Sequence, residues 1–117
     1  MSARPVLIVD AANVVGSVPD GWWRDRRGAA ERLRDLLARR AADEEVILVV
    51  EGAARGVESV PGVRVESAPA SGDDLIVELA AAHAGRPCTV VTADRALRDR
   101  VRAHGAECVG PRTVRPV

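Results

Sequence analysis

The 117-residue chain contains no lysine; all 17 of its basic residues are arginine. A P-loop needs a lysine on its phosphates, and Schiff-base or lysine-general-base chemistry needs the amine itself. Phosphoacceptor domains of two-component signalling, whose early aspartate this sequence shares, also depend on a lysine. All of these are excluded. Phe and Tyr are absent as well, and with Ala and Val abundant the bias reads as a GC-rich coding preference of little functional weight. Cysteine is confined to Cys88 and Cys108. Without CxxC spacing or an adjacent His pair no zinc site is expected, and both read as small buried residues on strands. The longest apolar runs, VLIV at 6–9 and VILVV at 46–50, are too short to cross a bilayer, so no membrane partner is expected. No charged segment followed by an apolar stretch opens the chain, which makes a signal peptide unexpected and a cytoplasmic location the expectation. Net charge is zero, so no overall field attracts a polyanion, and any nucleic-acid site must be a local patch.

What is present is ordinary for a globular protein: 47% hydrophobic and 29% charged residues, enough for one domain over residues 1–117 with one core. Apolar runs alternate with helical periodicities. VLIV at 6–9 reads as a buried strand ending at Asp10. Over 25–41, Ala29, Leu33, Leu36, Leu37 and Arg40 fall at helical spacing. VILVV at 46–50 is a second buried strand ending at Glu51, and Val63 to Val65 form a brief edge strand. A helix over 72–84 closed by Gly85 follows. Then come a strand at 88–92, a helix over 94–103 stopped by Gly105, a short strand at 106–109, and PRTVRPV as a tail. The pattern predicts an α/β fold: a three-layer sandwich with a five-stranded, mostly parallel sheet and helices on both faces.

In open α/β sheets ligands bind beyond the carboxyl ends of the strands. Asp10 follows strand one, Asn13 lies in the loop after it, and Glu51 follows strand two. Asp73 and Asp74 open a helix, and Asp94 lies just past strand four. His83 and His104 end helices at the opposite pole, where they complement helix dipoles. With no available His, Lys or Tyr, a nucleophilic triad has no members. What remains is a carboxylate cluster, which must protonate or bind a cation; Mg²⁺ or Mn²⁺ is the expected cofactor. With strands one and four as neighbours, the Asp10 and Asp94 backbones would lie about 5 Å apart. Successive helical residues diverge by about 100°. Asp73 therefore shares the inward stripe of Ile76 and Ala80, while Asp74 shares the outward stripe of Glu78. Each acid taken alone also reads as a cap or turn residue.

GWWRDRR at 21–27 places Trp22 and Trp23 beside Arg24, Arg26 and Arg27. Indole faces and guanidinium groups suit stacked bases and phosphates of single-stranded RNA. The alternative is that one Trp packs on the core, with Asp25 capping the helix. Arg95 and Arg98 extend the basic patch on the same rim.

Three blocks, VDAANVVGSVPDGWW at 9–23, SGDDLIVELA at 71–80 and VVTADRALRDRV at 90–101, resemble the signatures of NYN domains in the PIN-like nuclease superfamily, in pattern its YacP-like bacterial branch. The resemblance implies a sandwich with strand order 3-2-1-4-5 and a Mg²⁺- or Mn²⁺-dependent endoribonuclease. It implies Asp10, Asn13, Asp73 and Asp94 as catalytic residues, with Asp10, Glu51, Asp73 and Asp94 toward the metal and Thr92 as a supporting hydroxyl. Glu51 stands where many relatives carry Asp. Trp22, Trp23, Arg24, Arg27 and Arg95 are the candidate RNA contacts, and homodimers are common in such domains. Two other readings stay open: a non-catalytic RNA- or protein-binding module, and a PIN-type toxin of a toxin–antitoxin pair. A nucleotide phosphohydrolase finds no Gly-rich phosphate loop to support it.

Overall fold

A computed structural model describes residues 4–40 and 43–115. Residue 41 of the expected second helix and the last two residues of the expected tail lie outside them. Five strands, β1 (Val6–Asp10), β2 (Glu45–Val50), β3 (Arg64–Ser67), β4 (Cys88–Val91) and β5 (Glu107–Val109), form one sheet in the order 3-2-1-4-5. Every pairing is parallel, with Val9 opposite both Leu48 and Val91. The central strand is buried along its whole length, as its unbroken apolar run requires in a sheet covered on both faces.

Alternation along the strands divides the interior. Leu7, Val9, Leu48 and Val50 pack with α1 (Ala11–Gly16) and α2 (Arg26–Ala38). Val6, Ile8, Ile47, Val49 and Val90 pack with α3 (Gly72–Ala82) and α4 (Arg95–Arg102). Two apolar layers thus flank the sheet, the three-layer arrangement expected from sequence. Among the described residues no helix is long and apolar enough to cross a membrane.

Four local expectations are corrected. Asn13 is not in a loop but on α1, whose N-terminus Asp10 caps by accepting a hydrogen bond from the Asn13 amide; six residues are too few for periodicity to reveal a helix. The edge strand β3 begins at Arg64 because Val60 and Val63 pair with each other in a turn. Helix α3 ends at Ala82, with His83 as its C-cap. The His83 amide donates to the Leu79 and Ala81 carbonyls and the Ala84 amide to the Ala81 carbonyl, closing the helix ahead of Gly85. Arg86 then donates to the Arg4 carbonyl and to Glu45 at the amino edge of the sheet. The segment from Pro111 is not a free tail: it makes a 3₁₀ turn, buries Val114 in the core and bonds Arg115 to the Val15 carbonyl.

Candidate acidic site at the carboxyl edge of the sheet

Asp10 ends β1 and is 5% exposed. Its Oδ1 accepts from the Asn13 amide at 3.3 Å, and its Oδ2 accepts from the Thr92 hydroxyl at 2.9 Å. The register explains the second contact. Continuing from Val9 opposite Val91, the residue beside Asp10 is Thr92, so the adjacency expected between the Asp10 and Asp94 backbones is corrected. Asp94 lies further on, at the N-cap of α4, where Oδ1 accepts from the Leu97 amide at 3.0 Å. Thr92 links the two acids: its Oγ1 also accepts from the Asp94 amide at 3.2 Å. Arg98 is drawn into the same support, donating Nε to the Thr92 carbonyl at 2.8 Å.

Asn13 closes the opposite side of this frame. Its Oδ1 accepts from the Ala93 amide at 2.8 Å, which clasps α1 to the turn between β4 and α4. Asp73 stands half-buried in the first turn of α3, above the buried Ile76 and Ala80, whereas Asp74 is exposed and pairs with Arg100 at 2.9 Å. Glu51 reaches across from the end of β2. Its Oε1 lies 2.8 Å from where a Cβ on Gly72 would stand, so the missing side chain at Gly72 makes room for the carboxylate. Gly72 went unrecognised in the sequence, although a Ser-Gly-Asp-Asp run with Ser71 as N-cap marks the helix start that needs it.

The charges of these groups act on one another. Burial pushes the Asp10 carboxyl up to about 6, the bonds from Thr92 and Asn13 hold it back, and the charges of Asp73 and Glu51 raise it further. Asp73 is raised by burial first and then by Asp94 and Glu51, with Arg100 opposing. Asp10, Glu51, Asp73 and Asp94 therefore share one electrostatic neighbourhood in which negative charge exceeds what the protein neutralises. All their donors are carboxylate oxygens, the kind Mg²⁺ and Mn²⁺ take. Among the described residues no three acidic, His or Cys side chains are gathered tightly enough to enclose an ion. The donor type and the excess negative charge are those a hard divalent cation takes, while the side chains as placed do not form a ligand set around one point.

The Trp–Arg segment stands on the α1–α2 side. Trp22 packs against the core and Trp23 is 50% exposed. The rings meet edge to face at 5.8 Å. The Arg24 guanidinium lies 5.9 Å from the Trp23 ring centroid, and that of Arg26 lies 5.2 Å from that of Trp22. Asp25 caps α2 by accepting from the Gly28 amide. Arg27 donates to the carbonyls of Arg55 and Gly56, which ties α2 to the turn after β2. Arg95 is exposed at the first position of α4. Cys88 is buried on β4 and Cys108 half-buried on β5, both free thiols, and burial raises the Cys88 thiol. His83 and His104 follow α3 and α4 at the far pole.

No protein-family model matches the sequence, and no curated protein matches it either. Among solved structures, the fold is similar to the crystal structure of Rae1 (YacP) from Bacillus subtilis, with a TM-score of 0.72 and 22% sequence identity over 92% of this chain and 69% of that one. The likeness establishes a YacP-like fold.

Proposed function

We propose that this chain is a metal-dependent endoribonuclease that hydrolyses RNA phosphodiester bonds at the acidic edge of the sheet. The observation that supports this reading is the placement of four acids on one edge of the sheet. Asp10 is buried there, joined through Thr92 to the Asp94 amide and raised to about 6. Glu51 lies against Gly72 at the start of the helix that carries Asp73. Such a site gains by taking a cation. Similarity in fold to Rae1 (YacP) and the NYN-like motif blocks favour the same reading.

Asp10, Asp73 and Asp94 would hold the ion, with Glu51 at its border. A bound Mg²⁺ or Mn²⁺ supplies Lewis-acid polarisation of the phosphate and an acidified water. Thr92 holds Asp10 through its hydroxyl and receives the Asp94 amide, so it fixes the distance between two ligands. Asn13, through Ala93, fixes α1 against the α4 N-terminus. Trp23, Arg24 and Arg95 offer stacking and phosphate contacts to a single strand.

The test is cleavage of labelled single-stranded RNA with Mn²⁺ or Mg²⁺, beside EDTA and Asp94→Asn controls. The expected result is cleavage lost in both controls, leaving 5′-phosphate and 3′-hydroxyl ends; a 2′,3′-cyclic phosphate product would contradict hydrolysis by water. One observation favours a second reading. Both Asp10 oxygens and one Asp94 oxygen already serve hydrogen bonds, as in a binding module that retains an acidic edge for structure. Failure to bind Mn²⁺ by calorimetry, together with absent cleavage, would select that reading.

A further inference from the structure

Beside the acidic edge lies a cleft of about 310 Å³ between α1, the start of α2 and the turn after β2. We propose that it is a nucleobase pocket, receiving one unstacked base of a single-stranded RNA whose phosphate lies against the acidic edge. The proposal rests on the ribonuclease reading and specifies how the strand is held.

The first argument is continuity. Ala11, on the wall of the cleft, directly follows Asp10, and Glu51 belongs to both the cleft and the acidic neighbourhood. A base in the cleft thus places its own or the next phosphate over the carboxylates. The second is lining. Ala11, Ala12 and Val15 offer short apolar side chains, and Trp22 offers an indole, while the volume sits at the low end of small-molecule sites, about 300–1,000 Å³. One base fits; a helical RNA element does not.

The third argument concerns Arg26. Its guanidinium is laid over Trp22 at 5.2 Å and, among the described residues, forms no hydrogen bond or ion pair. Arg27, the next residue, is spent on two backbone carbonyls. A guanidinium plane backed by an indole and still holding its donors is a stacking platform for a base. The fourth is polarity. Glu51 borders the cleft while its carboxylate lies against Gly72 at the start of α3. The cleft itself is therefore lined mainly by short apolar side chains and an indole and suits a base, with the phosphates kept outside.

Binding is measured with Asp94→Asn, Trp23→Leu protein and Mg²⁺, so that RNA is not cut and Trp22 is the only indole. The probes are a single-stranded pentaribonucleotide and the same oligonucleotide with an abasic central position. The expected result is a change in Trp22 fluorescence on binding, with affinity at least tenfold weaker for the abasic probe. Ala12→Leu, which fills the cleft from an exposed position, should weaken the intact probe to the same degree. Equal affinity for the two probes, or no Trp22 response, overturns the proposal; the abasic comparison decides it even if Ala12→Leu does not fold. Cleavage of the intact and abasic RNAs by otherwise wild-type protein separates the two readings. Base-independent cleavage leaves the nuclease standing and removes the pocket. Base-dependent binding by a protein that cuts nothing keeps the pocket and removes the nuclease.

Discussion

Asp10 is the residue whose chemistry departs furthest from its ordinary behaviour. Its carboxyl moves from 3.8 to about 6, which corresponds to about 3 kcal/mol at ~1.4 kcal/mol per pH unit. Because the folded protein holds this proton more tightly than the unfolded chain, stability falls as pH rises from about 4 to about 6 and is constant in this respect above that. In metal-free protein, Asp10→Asn should therefore gain about 1–3 kcal/mol over wild type at pH 7, and little at pH 4. Urea unfolding across that range checks it; a difference that does not change with pH would refute the assignment. Mg²⁺ should stabilise the wild type and not the variant. Asp73 and Asp74 make a paired contrast. Asp73→Asn should abolish cleavage and metal binding. Asp74→Asn removes an exposed pair with Arg100, worth about 0–1 kcal/mol, and the least of the charges that act on Asp73, and should keep both activities. Helical phase made that distinction readable in the sequence, since Ile76 and Ala80 mark the buried stripe. The contact between Thr92 and Asp10 was not readable as geometry, because it depends on the register of strands 82 residues apart.

At the level of the helices, the acidic edge is also a set of N-caps. Asp10 caps α1, Ser71 caps α3 and Asp94 caps α4, so two of the proposed metal ligands also satisfy backbone amides. Function and helix stability can be separated at Asp94. Asparagine is as good a cap as aspartate, whereas alanine loses about 1 kcal/mol. Asp94→Asn should therefore fold within ~0.5 kcal/mol of wild type yet lose cleavage, and Asp94→Ala should lose both. Equal loss of stability in the two variants would mean that the charge, not the cap, holds α4. The longest helix was legible from periodicity, α2 through Leu33 and Leu37, and α4 was bounded in the sequence by Gly105 beyond its end. The helix α1 was not legible, although Asp10 three residues before Asn13 has the spacing of its cap. A helix this short owes its existence to the cap and to Val14 and Val15, which are buried against the sheet.

Across the whole molecule, the order 3-2-1-4-5 sets β1 between β2 and β4 and brings the ends of three strands and the starts of three helices to one edge. Alternating apolar runs made the α/β sandwich and its buried central strands legible, whereas the strand order followed only from the resemblance to NYN signatures. The partly exposed edge strands β3 and β5 carry too few apolar residues to show their places, and β2 passes to β3 through a 3₁₀ turn with no α-helix. Nothing in PRTVRPV showed that its first residues close the molecule, because a single Val among Arg and Pro carries no periodicity. Yet Val114 is 4% exposed in the layer it shares with α1 and α2, and Arg115 joins the Val15 carbonyl and the Asp20 carboxylate. That arrangement holds the C-terminal end of α1, the helix that carries Asn13 and lines the base cleft. Val114→Ala should cost about 1–3 kcal/mol, read as a lower urea midpoint at unchanged slope. If the segment is part of one cooperative unit, tryptophan fluorescence and far-UV circular dichroism will shift together. A loss seen only by fluorescence would mean that the segment steadies the Trp22 side locally. Wild-type stability in the variant would show that burial of Val114 contributes nothing to the fold.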